Sequence, residues 1–247
     1  MKIFPIKTEI IRANKKTLFD ILDRYLPSKL EERSIVVITS MIVSLCEGSV
    51  VPLGKIDKKE LVKKEVDYYI PSSIHKENIG VTIKNNMMIF SGGIDESNGG
   101  GYFVLWPRKP QKTANEVRRY LRARYKLKNI GVLITDSRII PLRWGTVGVT
   151  LAHSGFKALK DYTGKRDLFS RKFEFEIANI ADALAAAAVA VIGEGAEQTP
   201  LAIIEDIAFV EFNQKDPSSS ELSKLHVGLK DPIFQALFKN VPWRKGG

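Results

Sequence analysis

A short apolar run that ends in three oxygen-bearing side chains constrains this chain most. Ile130 to Ile134 is almost continuously apolar, which is typical of a strand buried on both faces. Thr135, Asp136 and Ser137 follow directly, and we expect them where the strand leaves the sheet. Strand ends often carry the chemistry of α/β proteins, and a carboxylate beside a hydroxyl suits a hard metal ion. The start of an ordinary turn would explain Asp136 and Ser137 equally well.

Size and charge bound the class of protein. The chain has 247 residues, enough for one large core or two small ones, and a formal net charge of +10. That charge predicts an anionic partner such as a nucleotide, a nucleic acid or a membrane surface. The single cysteine, Cys46, excludes an internal disulfide and fits a cytoplasmic location. The longest low-charge run, 180–192, is too short to span a bilayer, so we expect no membrane segment.

Alternating and helical patterns predict a mixed α/β fold. Strands are expected at 2–6, 34–39, 42–45, 79–83, 87–90, 102–106, 172–177, 200–204 and 208–212. Helices are expected after a cap at Asn14, over the lysine-rich stretch 55–64, after a Thr113–Glu116 capping box, and over the alanine-rich stretch 180–192. The polar run 214–220 predicts a linker between a main domain, 1–213, and a segment reaching residue 247. That segment is expected to dock through Ile233, Leu237, Phe238 and Trp243.

Oxygen donors in loops are the candidates for chemistry. The chain has no Walker A, GxGxxG, HExxH, CxxC or GxSxG pattern, and its three histidines are scattered. His153 lies in an apolar run and is expected to be a hydrogen-bonded core residue. Asp95 and Asn98 lie in a loop with five glycines, which lets backbone amides approach a ligand, and Glu194 stands between two glycines. Such donors suit Mg²⁺ or Mn²⁺ holding phosphates.

The segment 108–128 carries most of the concentrated positive charge. It contains nine basic residues and a single acidic one, Glu116, with tyrosines interleaved. Basic helices of this kind can bind nucleic acid, although no helix-turn-helix, RNP or zinc-finger pattern accompanies this one. The alternative is a helix whose apolar stripe faces the core while its charges meet water or a small anion.

Several motifs resemble, in order and spacing, the γ-glutamyl ligases of the deazaflavin coenzyme F420. They are Ser-Gly-Gly-Ile-Asp-Glu-Ser-Asn at 91–98, Gly-Val-Leu-Ile-Thr-Asp-Ser at 131–137, Arg-Trp-Gly-Thr-Val-Gly at 143–148, Ser-Gly-Phe-Lys-Ala-Leu at 154–159 with Asp161, Gly-Lys-Arg-Asp-Leu-Phe at 164–169, and Gly-Glu-Gly at 193–195 with Pro200. The resemblance extends from about Lys2 to Ile204. It implies a mixed α/β fold of the family's own type, with two interleaved subdomains, and a homodimer.

The resemblance also implies an activity. The family uses GTP and a pair of divalent ions, Mg²⁺ or Mn²⁺, with K⁺ as a further candidate, to join L-glutamate to a carboxylate acceptor. The acceptor would be a deazaflavin or a folate-type molecule. The implied metal ligands are Asp95, Asp136, Ser137 and Glu194. Asp95 and Asp136 also count as catalytic, together with Arg143, which would attract the anionic substrates. The implied nucleotide-binding residues are Glu9, Ile10, Ile11, Arg12, Ser40, Asn98, Ile192, Gly193, Gly195, Ala196, Glu197, Gln198 and Thr199.

Two departures from the family pattern leave alternatives open. The family has a lysine at the position of Met41 or Leu45, and this chain has neither. The Gly-Arg that commonly follows the Asp-Thr of the deazaflavin enzymes is replaced here by Ile139-Ile140 after Arg138. The missing lysine makes a catalytically weakened nucleotide- or metabolite-binding relative the second hypothesis, and the missing Gly-Arg leaves the acceptor open between a deazaflavin and a folate-type or other carboxylate. A nucleic-acid-binding protein, which the charge alone supports, is the third hypothesis.

Overall fold

The computed structural model describes residues 1–71 and 80–247 as a mixed α/β fold. Its strands are β1 Lys2–Ile6, β2 Ser34–Thr39, β3 Val50–Pro52, β4 Tyr68–Tyr69, β5 Val81–Lys84, β6 Met87–Phe90, β7 Tyr102–Val104, β8 Ile130–Ile139, β9 Thr146–Ser154, β10 Leu159–Asp161, β11 Ile177–Asn179, β12 Leu201–Glu205 and β13 Arg244–Lys245. Its helices are α1 Leu18–Tyr25, α2 Ser40–Glu47, α3 Lys58–Glu65, α4 Pro110–Tyr125, α5 Ile180–Ile192, α6 Ser219–Ser223 and α7 Gln235–Phe238.

A five-stranded sheet of order β1-β12-β2-β8-β9 forms the centre of the molecule. Its one parallel pair is β2 with β8, and the other neighbours are antiparallel. Helices α1, α2 and α4 pack on one face through residues such as Ile21, Val43 and Leu121. Helix α5 packs on the other face, where its alanines allow close approach to Leu133. Strand β8 is therefore covered on both faces, as its apolar run predicts.

The part of the chain between α2 and α4 forms a second, smaller core. It contains Leu61 and Val62 of α3 with Ile94 and Phe103. Around it, β13, β4, β5 and β6 form a four-stranded sheet, and β3 pairs with β7. The predicted hairpin is confirmed for β5 and β6, which turn at Asn85 and Asn86. Residue 79, at the start of the predicted first strand, lies outside the described residues, as does His75. The two interleaved subdomains and the dimer stay predictions.

The C-terminal segment is attached at three points, one of which is Leu225, packed partly buried against the core beneath α5. Buried Arg118 of α4 donates to Gln214 O at 2.9 Å and to Asp216 Oδ1 at 2.6 Å. Farther along, β13 adds an edge strand beside β4. Among the residues predicted to dock, Phe238 and Trp243 contact each other and are half-buried. The prediction is wrong for Ile233 and Leu237, which are 72% and 69% exposed, because this segment attaches through backbone pairing and a buried ion pair.

Several local predictions need correction, and 42–45 matters most for the site. These residues belong to helix α2, because the chain turns at Thr39–Ser40 and lays Ile42 and Val43 against the sheet. The first helix is capped by Thr17, which forms a capping box with Asp20 and leaves Asn14 outside.

The remaining corrections concern segment ends. Helix α4 begins at Pro110, so Thr113 lies inside its first turn and donates to Lys109 O at 3.3 Å. The alternation over 172–177 is a mostly exposed loop except at its end in β11, and 208–212 contributes only a bridge at Phe212. Helix α5 and strand β1 have the predicted bounds. Within the described ranges, none of the helices has the length and apolar character needed to cross a membrane.

Candidate active site

The unequal lengths of two neighbouring strands create the site. Strand β2 pairs with β8 only as far as Thr39 with Thr135, and the chain then enters α2 at Ser40. Strand β8 continues to Ile139 beside β9, after a bulge between Ile134 and Thr135. The expectation that the strand leaves the sheet at Thr135 is therefore wrong, because β9 continues to pair with it. Beyond Thr135 the β2 side of the strand is open, and Asp136 lies there.

A cavity of about 490 Å³ occupies this opening, a size typical of small-molecule sites. Almost all of the predicted site residues line it, although they come from five separate segments of the chain. They are Glu9, Ile10, Ile11, Ser40, Asp95, Asn98, Asp136, Ser137, Ile192, Gly193, Glu194, Gly195, Ala196, Glu197, Gln198 and Thr199.

Asp136 is held by donors on both oxygens. Ser40 Oγ donates to Oδ1 at 3.2 Å, and the indole N–H of Trp106 donates to Oδ2. Desolvation raises the pKa of Asp136 to about 6, against the lowering effect of the hydrogen bonds from Trp106, the Ser137 backbone and Ser40. The carboxylate is therefore fixed in orientation and destabilised in charge, which favours binding of a cation next to it.

Asp95 faces the same opening from the glycine-rich loop. Two backbone hydrogen bonds with Val104, of 3.0 and 2.8 Å, fix the residue beside the end of β7. Desolvation raises the pKa of Asp95 to about 7, and the nearby charge of Asp136 adds to the rise. Lys58 of α3 acts in the opposite direction. Two carboxylates that disfavour each other's charge are a common property of sites that bind a metal ion or a proton.

Glu194 completes the acidic set from the loop after α5. Its Oε1 accepts hydrogen bonds from Ser137 Oγ at 2.7 Å and from Thr146 Oγ1 at 3.2 Å, which connects this loop to β8 and β9. Asn98 adopts a left-handed conformation, with φ of 57°, and its Nδ2 donates to Gly195 O at 2.9 Å. The glycine-rich loop and the 193–199 loop are thus tied together across the cavity.

The charge of this cavity is one-sided. Its described lining contains five carboxylates, Glu9, Asp95, Asp136, Glu194 and Glu197, and no lysine or arginine, although Glu9 is paired with Lys16 and Arg24 outside the lining. Across residues 1–71 and 80–247, no three His, Cys, Asp or Glu side chains form a metal-binding group by themselves. Mg²⁺ does not require one, since it is typically held by one or two carboxylates and completes its shell with water and phosphate oxygens. The donors present therefore fit a divalent ion that arrives with a phosphate ligand.

Three residues named in the sequence analysis lie away from the cavity lining. Arg143 is exposed in the β8–β9 connection, and Arg12 is exposed after the lining residue Ile11. His153 is a core residue, 2% exposed and stacked edge-on against Phe156. Its Nδ1 has no hydrogen-bond partner within the described structure, so the expected hydrogen bond is not seen at that atom. Burial lowers the pKa of His153 to about 4.

Sequence reasoning missed several neighbours of the acidic cluster. Trp106 and Lys58 act on Asp136 and Asp95 from the smaller core, and no local motif marks either residue. Thr135 lines the cavity with its hydroxyl buried and unpaired within the described part of the protein. Met41 and Leu45 both line the cavity, four residues apart on α2. An unpaired hydroxyl at a cavity wall is a feature that a ligand can satisfy.

The fold and the cavity define a mixed α/β protein with a carboxylate-lined site for a charged small molecule, at the end of a parallel strand pair. The chain belongs to the family described as F420-0:Gamma-glutamyl ligase, whose model matches residues 5–206.

Similar proteins include three that are named coenzyme F420:L-glutamate ligase. The protein from Methanopyrus kandleri is 31% identical over 73% of this chain and 77% of its own. The protein from Methanococcus maripaludis is 32% identical over 90% and 93%, and that from Methanocaldococcus jannaschii is 32% identical over 71% and 76%.

Proposed function

We propose that this protein is a GTP- and divalent-metal-dependent ligase that joins L-glutamate to the carboxylate of a deazaflavin coenzyme. Family membership and the names of the relatives support ligation of glutamate to that coenzyme. A folate-type acceptor is the alternative, because Ile139-Ile140 replaces the Gly-Arg of the deazaflavin enzymes. The experiment below therefore includes a folate as a second acceptor.

The carboxylate-lined cavity is the observation that carries the metal and nucleotide part of the proposal. The four acidic side chains other than Glu9 would repel a bare polyphosphate, because a like charge a few ångströms away costs energy even near a protein surface. One or two divalent ions held there would offset two or four of these charges, so that the phosphates would meet positive charge rather than carboxylates alone. The cavity therefore suits a nucleotide that is bound as its metal complex.

The reaction that this site would support has two steps. A carboxylate does not react with an amine, because oxide would have to leave. An acceptor carboxylate oxygen first attacks the γ-phosphorus of GTP, forming an acyl phosphate and releasing GDP. The amine of glutamate then attacks the acyl carbon, phosphate leaves, and the amine loses a proton. The product is an amide.

Three of the acidic residues have proposed roles that follow from their positions. Asp95, Asp136 and Glu194, with the hydroxyl of Ser137, would hold one or two Mg²⁺ or Mn²⁺ ions, which supply positive charge opposite the transferring phosphoryl group. Ser40 and Trp106 orient Asp136 by their hydrogen bonds. Asn98 keeps the glycine-rich loop against the 193–199 loop, so the two walls of the cavity stay in register.

A homodimer is part of the proposal because of exposed apolar side chains. Leu142 and Trp144, in the β8–β9 connection, are fully exposed. Leu168, Phe169 and Phe175, in a second long loop, are 98%, 91% and 82% exposed. Groups of large apolar side chains left in water commonly mark a protein interface, and a second copy of the chain would cover them.

Mass spectrometry of reaction products provides the direct test. The full chain is incubated with Mg²⁺ or Mn²⁺, GTP or ATP, labelled glutamate, and either the deazaflavin coenzyme or a folate. We expect a product with glutamate added to the deazaflavin coenzyme. Asp136→Asn should reduce its formation at least a hundredfold, because the amide keeps the shape and removes the charge.

Asp206→Asn, at an exposed carboxylate outside the cavity and outside the motifs shared with the family, is the control and should retain wild-type turnover. An Asp136→Asn variant with unchanged turnover would contradict the metal assignment. Binding of GTP without any product, for every acceptor, would favour the weakened relative that the missing lysine suggests.

A further inference from the structure

A second cavity, of about 370 Å³, lies next to the acidic one. The two are separated by Trp106. Its indole N–H reaches Asp136, which lines the first cavity, while Trp106 itself lines the second. The second cavity is in the size range of small-molecule sites. Its position places any ligand one side chain away from the acidic cluster.

The charges of the two cavities are opposite. Lys84, Arg108 and Glu65 are the charged residues among the described lining of the second cavity, which gives two positive charges and one negative. The acidic cavity has five carboxylates and no basic residue in its described lining. An anion that carries no metal is therefore attracted to the second cavity and repelled from the first.

Lys84 is a lysine whose side chain is largely buried in the wall of this cavity. Its side chain is only 11% exposed, and lysine is almost never so buried unless it is paired. Glu65 Oε2 accepts a hydrogen bond from its ammonium at 3.0 Å, and the ammonium lies 5.5 Å from the centre of the Trp106 ring. The positive charge is thus held against the indole that separates the cavities.

Arg108 supplies the second positive charge of this cavity. Its backbone N–H donates to Glu47 Oε1 at 2.6 Å, which fixes the residue just after β7. Its Nη2 donates to Gly48 O at 3.3 Å, and no ion pair joins its guanidinium to a carboxylate in the described ranges 1–71 and 80–247. A guanidinium that is not paired with a protein carboxylate can bind a ligand carboxylate through two parallel hydrogen bonds.

We propose that the second cavity binds the dicarboxylic amino acid substrate, L-glutamate, with its carboxylates near Arg108 and Lys84 and its ammonium near Glu65. This inference rests on the proposed ligase function, because that function requires an amino acid beside the acidic cluster. Two cations and one carboxylate are the complement of a molecule with two carboxylates and one ammonium. The second cavity would hold glutamate as it arrives, and its amine must then leave Glu65 and pass the indole of Trp106 to reach the acyl carbon.

Calorimetric titration of the full chain with L-glutamate tests the proposal, with and without Mg²⁺ and a non-hydrolysable GTP analogue. We expect saturable binding that Arg108→Gln weakens about tenfold to a hundredfold, the usual effect of losing one charge-assisted hydrogen-bond pair. Arg108→Lys should recover part of the loss. Lys109→Gln is the matched control. It also removes one positive charge, but Lys109 is the next residue along the chain and does not line the cavity.

Glutarate, which lacks the amine, separates the two parts of the assignment. We expect it to bind less tightly than L-glutamate, and Glu65→Gln should reduce the difference. Equal affinity for glutarate and L-glutamate in the wild-type chain would overturn the assignment of an amino acid. The absence of saturable L-glutamate binding under both conditions would overturn the site.

Steady-state kinetics distinguish failure of this inference from failure of the proposed function. Ligase product with an unchanged KM for glutamate in Arg108→Gln would overturn the second cavity and leave the ligase in place. Arg108-dependent binding of L-glutamate without any product would support the cavity and contradict the ligase. A higher KM for glutamate at unchanged kcat in Arg108→Gln supports both.

Discussion

The indole N–H of Trp106 donates a hydrogen bond to Oδ2 of Asp136, across the boundary between the smaller core and the central sheet. Gly93 makes this contact possible, because a Cβ at Gly93 would lie 2.3 Å from Nε1 of Trp106, and the residue has φ of 67°. A glycine in the loop that also contains Asp95 thus allows the tryptophan to reach the second acid. The two carboxylates are positioned by one local arrangement.

Replacement of Trp106 by phenylalanine tests this arrangement. Trp106→Phe keeps a ring between the cavities and removes the donor, so the pKa of Asp136 should rise further above its ordinary value. Asp136 must be ionised to act, so the acidic limb of kcat/KM against pH should move to higher pH, with roughly tenfold lower kcat/KM at pH 6. Trp243→Phe, at an indole whose N–H has no hydrogen-bond partner within the described structure, is the control. Superimposable pH profiles for Trp106→Phe and wild type would show that the hydrogen bond has no such effect.

The raised pKa of Asp95 predicts how the metal-free protein responds to pH. The folded state binds this proton more tightly than the unfolded chain does, with a pKa of about 7 against 3.8. The contribution of Asp95 to stability is therefore largest below pH 4, falls as the pH rises from about 4 to 7, and stays lost above pH 7. The contribution of Asp95 should therefore make the melting temperature of the metal-free protein lower at pH 8 than at pH 5.

Asp95→Asn removes the cost of the buried charge. The metal-free variant should melt above wild type at pH 8, by about 2–4 °C for each 1 kcal/mol recovered, and the difference should shrink as the pH falls toward 4. Mg²⁺ should stabilise wild type more than the variant. Thermal melts with and without EDTA measure both effects, with an exposed carboxylate away from the cavity replaced in Glu31→Gln as the control. An Asp95→Asn protein that melts below wild type at pH 8 would contradict this account.

The positions of Met41 and Leu45 on helix α2, where we expected a strand, allow a test of what the missing lysine does for GTP binding. Met41 and Leu45 are one turn apart and both line the acidic cavity, but Leu45 is 3% exposed whereas Met41 is half-buried. Met41→Lys should tighten GTP binding roughly tenfold through one added charge-assisted contact. Leu45→Lys should lower the melting temperature instead, because it buries an unpaired charge.

Calorimetric titration of GTP in the presence of Mg²⁺ measures the Met41→Lys effect. Met87→Lys, on the β5–β6 hairpin away from the cavity lining, is the control for added charge alone. Equal gains in GTP affinity for Met41→Lys and Met87→Lys would mean that the nucleotide phosphates do not lie beside α2.

The exposed apolar loops predict the behaviour of the chain in solution. Trp144→Asp should shift the protein from dimer to monomer, because a charged side chain in an apolar interface lacks both water and a partner. Light scattering during size-exclusion chromatography measures the mass directly. Phe209→Asp changes another exposed aromatic, 48% exposed, and should leave the mass unchanged. A monomeric wild-type chain, or a dimeric Trp144→Asp variant, would exclude this interface.

Local sequence patterns predicted the elements that carry long apolar runs. Strand β8 over Ile130–Ile134 and helix α5 over 180–192 are confirmed, since an apolar run covered on both faces and an alanine-rich helix have few other places in a fold. Residues 42–45 were misassigned because β-branched and apolar side chains suit a buried strand and a buried helix equally well. The packing of α2 against the sheet decided between them.

The sequence by itself determined the chemical identity of the site: oxygen donors at Asp95, Asp136, Ser137 and Glu194, in an order that places the chain in its family. Only the tertiary structure decided that these donors face one cavity, that Arg143 lies away from it, and that Trp106 separates it from a second cavity of opposite charge. The physical reason is that desolvation and charge–charge interactions depend on distance in space. Those distances are set by which strand ends first and which helix covers it, and neither property is local in the chain.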